Sequence, residues 1–172
     1  MTPQARVQAA IELLDEIIAA AAGQGAAADT LIARYFKTRR YAGSKDRRAV
    51  RDLVYSAIRR SGERPVSGRA AMIGVARDTP DLPTLFDGSP HAPAPISTEE
   101  PGAEAGVAPA WLVKLLALTV PQADMPALLE RAPLDLRVNR LKAERAALLS
   151  RIADAEPTPF APDGLRLGDL VL

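Results

Sequence analysis

From Asp87 to Ala108 the chain shows neither a helical nor a strand hydrophobic period, and Pro90, Pro93, Pro95 and Pro101 recur through it. Proline removes a backbone donor and biases the residue before it away from helical geometry, so no regular element is expected to cross this stretch. It reads as a Pro/Ala-rich linker at 87–108, between a first compact unit at 1–86 and a second at 109–172.

The first unit reads as a set of helices. Thr2 and Pro3 open one that runs to about Ala22, with Val7, Ile11, Leu14, Ile18 and Ala21 at helical spacing, and Gly23-Gln24-Gly25 ends it. A second, about Ala27 to Arg39, gathers Leu31, Ile32, Tyr35 and Phe36 on one side. Ser44 is the expected N-cap of a third, which runs to about Arg60 with Asp46 at the positive end of its dipole. Its core stripe is Val50, Leu53, Val54, Ala57 and Ile58, and Arg48, Arg51, Tyr55 and Arg59 fall on the opposite face. Ser67-Gly68-Arg69 opens a fourth over Ala70 to Ala76, before Pro80 and Pro83 break the pattern around Leu82, Leu85 and Phe86. Aromatic residues make up only 4%, so the core must be built from Leu, Ile and Val on closely packed helices.

After the linker, Pro109 starts a helix in which Trp111 reads as a packing anchor rather than a base-stacking platform, and Asp124 to Arg131 gives another short one. Leu134 to Asn139 alternates strictly, with Leu134, Leu136 and Val138 on one face, which predicts a strand. A helix from Ala143 to Ala155 turns Leu148, Leu149 and Ile152 inward, and Leu165-Arg166-Leu167 returns as a strand, giving a β-α-β piece. The apolar run Leu170-Val171-Leu172 points to a larger sheet or domain beyond it. The fold class expected is mainly α, with a short helical bundle followed by a small α+β segment.

Chemistry is hard to assemble from these residues. The chain has no cysteine, which removes thiolate metal sites and thiol nucleophiles, and its one histidine, His91, lies among prolines as a solvated loop residue. No glycine-rich phosphate loop follows a strand, so no cofactor cradle is visible. Neither a signal-peptide core nor a membrane span is present, which makes the cytoplasm the default location.

Charge is the stronger signal. Residues 1–77 carry 14 Lys/Arg against 7 Asp/Glu, whereas residues 78–172 carry 8 against 14, so a net +1 conceals a front half of +7 and a back half of −6. The basic residues Arg34, Lys37, Arg39, Arg40, Lys45, Arg47, Arg48, Arg51, Arg59, Arg60, Arg64, Arg69 and Arg77 cluster against Asp46, Asp52 and Glu63 alone. Arginine forks suit phosphate oxygens, which points to a nucleic acid bound with strong salt dependence and without sequence readout. Two plainer readings stand beside this one: a merely solvated face, or internal pairing with acidic groups such as those after residue 78. Arg137, Asn139, Arg140 and Lys142 form either a second phosphate-facing edge or an ordinary polar strand exit.

Three stretches together resemble one family. Gly43-Ser44-Lys45-Asp46-Arg47-Arg48-Ala49-Val50-Arg51-Asp52-Leu53-Val54-Tyr55, continued by Ile58-Arg59, is similar to a helix of the Sun-type, NusB-like bacterial ribosomal-RNA methyltransferases, which methylate carbon 5 of cytosine. Pro109-Ala110-Trp111-Leu112 resembles the segment that follows the NusB-like bundle in that family, and Ala132 to Lys142 resembles the strand that leads to its catalytic domain. The resemblance implies an RNA-binding helical domain at 1–86 and a pre-catalytic segment at 109–172. It implies ribosomal RNA as partner, with contacts from Arg39, Arg40, Lys45, Arg47, Arg48, Arg51, Arg59 and Arg60 in the bundle and from Arg137, Asn139 and Arg140 near the strand. The catalytic cysteines and the S-adenosylmethionine domain of that family have no counterpart here, so the chain reads as a fragment or natural stub that lacks its C-terminal methyltransferase domain, with no catalytic residue, cofactor or metal of its own. Two other classes compete: a free-standing NusB-like antitermination module, and a protein-interaction module whose basic face meets an acidic partner.

Overall fold

The computed structural model describes residues 1–23, 25–130 and 132–168. Gln24, Arg131 and the terminal Leu170-Val171-Leu172 run expected to lead into a further sheet lie outside the described residues. The chain divides into two compact units, Met1–Leu129 and Glu130–Leu172, so the division falls well after the proline-rich stretch.

The first unit is built on helix α1 (Pro3–Ala21), which packs against α2 (Ala28–Thr38), α3 (Ser44–Arg60) and α4 (Gly68–Asp78). Thr2 caps α1 as its sequence predicts, its hydroxyl accepting from the Ala5 amide at 3.2 Å, and Ser67 caps α4 through the Ala70 amide at 3.0 Å. Because α1 is covered from several sides, its buried set widens beyond one stripe to Val7, Ala9, Ala10, Ile11, Leu13 and Leu14, while Ile18 is only half-buried and Ala21 exposed. Helix α2 buries Leu31, Ile32, Tyr35 and Phe36 as expected. In α3 the buried face is Val50, Val54 and Ala57, whereas Ile58 stays 38% exposed. Ala70 to Ala76 are all buried, which makes α4 the central helix of the unit. Its first residue must be glycine: a Cβ on Gly68 would strike the Ile11 carbonyl oxygen and stand 2.8 Å from the Asp15 amide nitrogen, so a side chain there would force α1 and α4 apart. Leu82 and Phe86, around a 3₁₀ turn at Leu82–Leu85, close the core.

The segment 87–108 lies along this unit. Side-chain and backbone bonds hold it where hydrophobic periodicity cannot. Ala103 donates its amide to the Ala70 carbonyl at 2.8 Å, Gly106 donates to the Arg60 carbonyl at 2.9 Å, and Ser61 and Ala105 form an isolated β-bridge. The Ala110 amide then donates to Glu63 at 2.8 Å, at the start of α5 (Ala110–Leu116). Trp111 on α5 is 65% exposed and is not a packing anchor, because a seven-residue helix entered from an extended proline presents it outward. The helix expected from Asp124 to Arg131 is instead a 3₁₀ segment over Gln122–Leu129, with Pro126 inside it denying an α-helical hydrogen bond.

The second unit is a three-stranded antiparallel sheet, β1 (Leu134–Arg137), β2 (Ala155–Pro157) and β3 (Gly164–Leu167), in the order β1-β3-β2, with α6 (Arg145–Leu149) packed on β2 and β3. The expected β-α-β piece is therefore corrected to β-α-β-β. Strand β2 is added at Ala155–Pro157, the expected helix is cut to one turn and a half, and β3 pairs antiparallel with both neighbours. Register places Leu134 opposite Leu167 and Leu136 opposite Leu165 on one face, and Asp135 opposite Arg166 on the other. Val138 is buried as predicted, whereas Leu134 and Leu136 on the outer strand remain 43% and 40% exposed.

Candidate nucleic-acid interface

Helix α3 is amphipathic in charge as well as in hydrophobicity. Its Val50, Val54 and Ala57 side faces the core, which leaves Lys45, Arg48, Arg51 and Arg59 exposed, and Arg40 is exposed in the turn before it. Among the described residues these five make no ion pair and no side-chain hydrogen bond. Tyr55 shares this face; its hydroxyl donates to Asp29, and that bond, with some burial, holds the phenol above its ordinary pKa while Arg51 and Arg59 pull it back.

The N-terminus of α3 is fixed by a buried carboxylate. Gly43, not Ser44, is the N-cap, and its amide donates to Asp46 at 3.2 Å. Asp46 also receives the Met1 ammonium at 3.1 Å and the Arg6 guanidinium at 2.9 Å. The bond from the ammonium, followed by that from Arg6, keeps this carboxyl below the usual Asp range against the opposing effect of burial. Asp46 is thus satisfied inside the fold and does not oppose the basic face.

The other basic residues divide by what they touch. Arg39 lies over the Tyr35 ring at 3.5 Å and pairs with Glu12 at 3.6 Å. Arg47 donates to the Ala42 carbonyl at 2.9 Å. Arg60 is tied to Asp78 at 2.5 Å and to the Ala103 carbonyl at 2.6 Å, and Arg34 reaches Glu16 only at 4.0 Å. Arg69 grips Glu100 at 2.8 Å and the carbonyls of Ala94 and Pro95 at 3.0 and 3.1 Å, and Arg77 meets Glu104 at 3.0 Å. Asp78 and Glu100 are each held below their ordinary range by their arginines, and Glu100 in turn raises Arg69. For Arg69 and Arg77 the plainer reading holds, since they pair with acidic groups after residue 78, and Arg60 pairs likewise with Asp78 itself.

In the second unit Arg137 is exposed opposite Gly164, where no side chain covers it. Asn139 is used locally, its side-chain oxygen accepting from the Leu141 amide at 3.1 Å in a turn. Arg140 reaches Asp163 at 3.7 Å, and Asp135 forms a two-pronged bond with Arg166 at 2.8 and 2.9 Å that lowers the Asp135 pKa. An open hollow of about 730 Å³ lies here between Asp135, Arg137, Arg166 and the loop 158–163, whose Phe160 is 97% exposed. Phe160 and Tyr41, which is 72% exposed, are surface aromatics beside arginine that hydrophobic periodicity does not single out. The signal available for Tyr41 is its position between Arg40 and Lys45.

The turn after β1, Val138 to Glu144, holds no glycine, and the chain holds no cysteine. No group of three His, Asp or Glu side chains among the described residues is arranged to hold a metal, and no described helix is long and apolar enough to cross a membrane.

Comparison with known families adds one finding. Residues 108–171 match the ferredoxin-like domain of the RsmF/B-like methyltransferases. The match to this ferredoxin-like domain spans α5, the 3₁₀ segment and the whole β-α-β-β sheet. It contains both the Pro109–Leu112 and the Ala132–Lys142 stretches, and leaves α1 to α4 outside it. This supports a relation to that group of methyltransferases for less than half of the chain. No curated protein and no solved structure matches the chain.

Proposed function

We propose that this chain is the RNA-binding N-terminal portion of a ribosomal-RNA cytosine-5 methyltransferase, and that it positions ribosomal RNA for a catalytic domain carried on further residues. In this reading the contacts to RNA come from Arg40, Lys45, Arg48, Arg51 and Arg59 on the first unit and from Arg137 on the second. Arg39, Arg47, Arg60, Asn139 and Arg140 are held by partners within the chain and shape the surface around them. The methyl donor and the attacking and releasing thiols belong to the catalytic domain, since no residue here supplies them.

The observation that carries the reading is a joint one: a ferredoxin-like domain of the RsmF/B-like methyltransferases follows a helical unit that displays five unpaired cations along one helix and its leading turn. Cations held apart from internal carboxylates are those able to release counterions from phosphate. The test is electrophoretic mobility shift with a ribosomal-RNA fragment at moderate salt, comparing the chain with its Arg48→Glu/Arg51→Glu/Arg59→Glu variant. The expected result is loss of the shifted band with an unchanged far-ultraviolet circular dichroism spectrum. Equal affinity of the two proteins would remove the basic face from the interface.

A further inference from the structure

A second feature of the helical unit has the chemistry of a base pocket. Between α1 and the turn that follows α2 runs an open groove of about 670 Å³, bordered by Gln8, Glu12, Tyr35, Arg39, Tyr41 and His91. That volume falls in the range of small-ligand sites. Tyr41 stands 72% exposed at its edge, and His91, whose backbone adopts a left-handed φ of 69°, closes it with Pro90.

The polar groups in the groove are only partly used. The Tyr35 hydroxyl donates to one Glu12 carboxylate oxygen at 2.7 Å, and Arg39 approaches the same oxygen at 3.6 Å. The other oxygen receives a single, longer bond from Gln8, at 3.3 Å. Each carboxylate oxygen accepts about two hydrogen bonds, so Glu12, 44% exposed, keeps acceptor capacity toward the groove. A carboxylate accepts and never donates. It therefore favours a base edge with adjacent N–H donors, which guanine presents at N1 and N2, over uracil, whose one N–H sits between two carbonyls. Exposed tyrosine supplies a stacking surface for any base, and Arg40 in the adjoining turn is available to the neighbouring phosphate.

We propose that this groove takes one unpaired guanine of an RNA strand, stacked on Tyr41 with its Watson–Crick edge donating to Glu12. The proposal rests on the reading of the chain as RNA-binding and adds a base preference to a surface that otherwise reads only phosphate.

Two measurements on the full chain separate the two ideas. In a nitrogen-15 NMR titration, guanosine 5′-monophosphate is expected to shift the amides of residues 8–12 and 39–41, and uridine 5′-monophosphate to leave those of residues 8–12 in place. In fluorescence anisotropy, a uridine heptamer with one central guanosine is expected to bind about tenfold more tightly than heptauridine, about 1.4 kcal/mol. Glu12→Gln is expected to erase that preference, Tyr41→Ala to weaken both heptamers, and Tyr41→Phe to bind as the parent does. The Arg48→Glu/Arg51→Glu/Arg59→Glu variant should lose affinity for both heptamers while its guanosine monophosphate shifts persist. Absence of those shifts in the parent protein, or equal binding of the two heptamers, overturns the groove proposal. Failure of every heptamer to bind overturns the RNA-binding reading, and the mononucleotide titration then decides the groove independently.

Discussion

Replacing Arg48, Arg51 and Arg59 by glutamine removes three of the five unpaired cations on α3 and its leading turn and leaves Arg40, Lys45 and, in the second unit, Arg137 in place. For single-stranded nucleic acid the slope of log affinity against log salt is about −0.7 per phosphate neutralised, so the six proposed contacts give about −4.2 and the remaining three about −2.1. Between 50 and 200 mM salt the parent should therefore lose about 340-fold in affinity and the variant about 18-fold. Glutamine, unlike glutamate, adds no repulsion, so the change in slope reports the number of contacts rather than a new penalty. Fluorescence anisotropy with a labelled ribosomal-RNA fragment across that salt series gives both slopes. Parallel lines for the two proteins would refute the assignment of α3 as the phosphate-facing helix. A parent slope much steeper than about −4.2 would show that arginines tied internally, such as Arg60 and Arg69, leave their partners on binding.

Other outcomes follow from the packing and from the ion pairs. Asp46→Asn should lower the melting temperature at neutral pH, and the gap to the parent should close in acid. Because its folded pKa lies below the ordinary value near 3.9, its contribution is complete above that value and vanishes as pH falls through the folded one; a gap constant from pH 7 to 2 would contradict this. Arg69→Gln should destabilise the first unit by about 1–2 kcal/mol, as expected for a charge-assisted bond of this kind, and should speed proteolysis between residues 89 and 100 relative to the parent. Leu13→Ala, at a fully buried position of α1, should cost about 2–5 kcal/mol in denaturant unfolding; a cost below about 1 kcal/mol would place Leu13 outside the core.

Helices α1 to α4 were legible because their apolar spacing and their caps are local: Thr2, Ser67 and the Leu31–Phe36 stripe need only neighbours a few residues away. What could not be read is long-range. Asp46 fits a helix start by sequence, but its partners Met1 and Arg6 lie some forty positions earlier. Arg60 and Arg69 look like Arg48 in a string of letters, and only the fold sends them to Asp78 and Glu100 while Arg48 stays unpaired. Strand β2 is three residues ending in proline, placed by its pairing with β3 and by α6 packed on it, so no alternation could announce it. Ile58 obeys the α3 stripe and still stays 38% exposed, because it borders an open hollow shared with Ile17, Ile18 and Ala21 instead of a packed neighbour.

The docking of residues 87–108 also bears on reach. As free coil, 22 residues would let their ends wander over about 25 Å, and whatever follows would sample a wide volume at low local concentration. Fastened to Ala70, Arg69 and Arg60, and followed at once by the Ala110–Glu63 bond, the same residues deliver α5 to one take-off point beside the end of α3. A cut or a lost arginine here would turn a fixed arm into a leash, and α5 would no longer be held beside the end of α3.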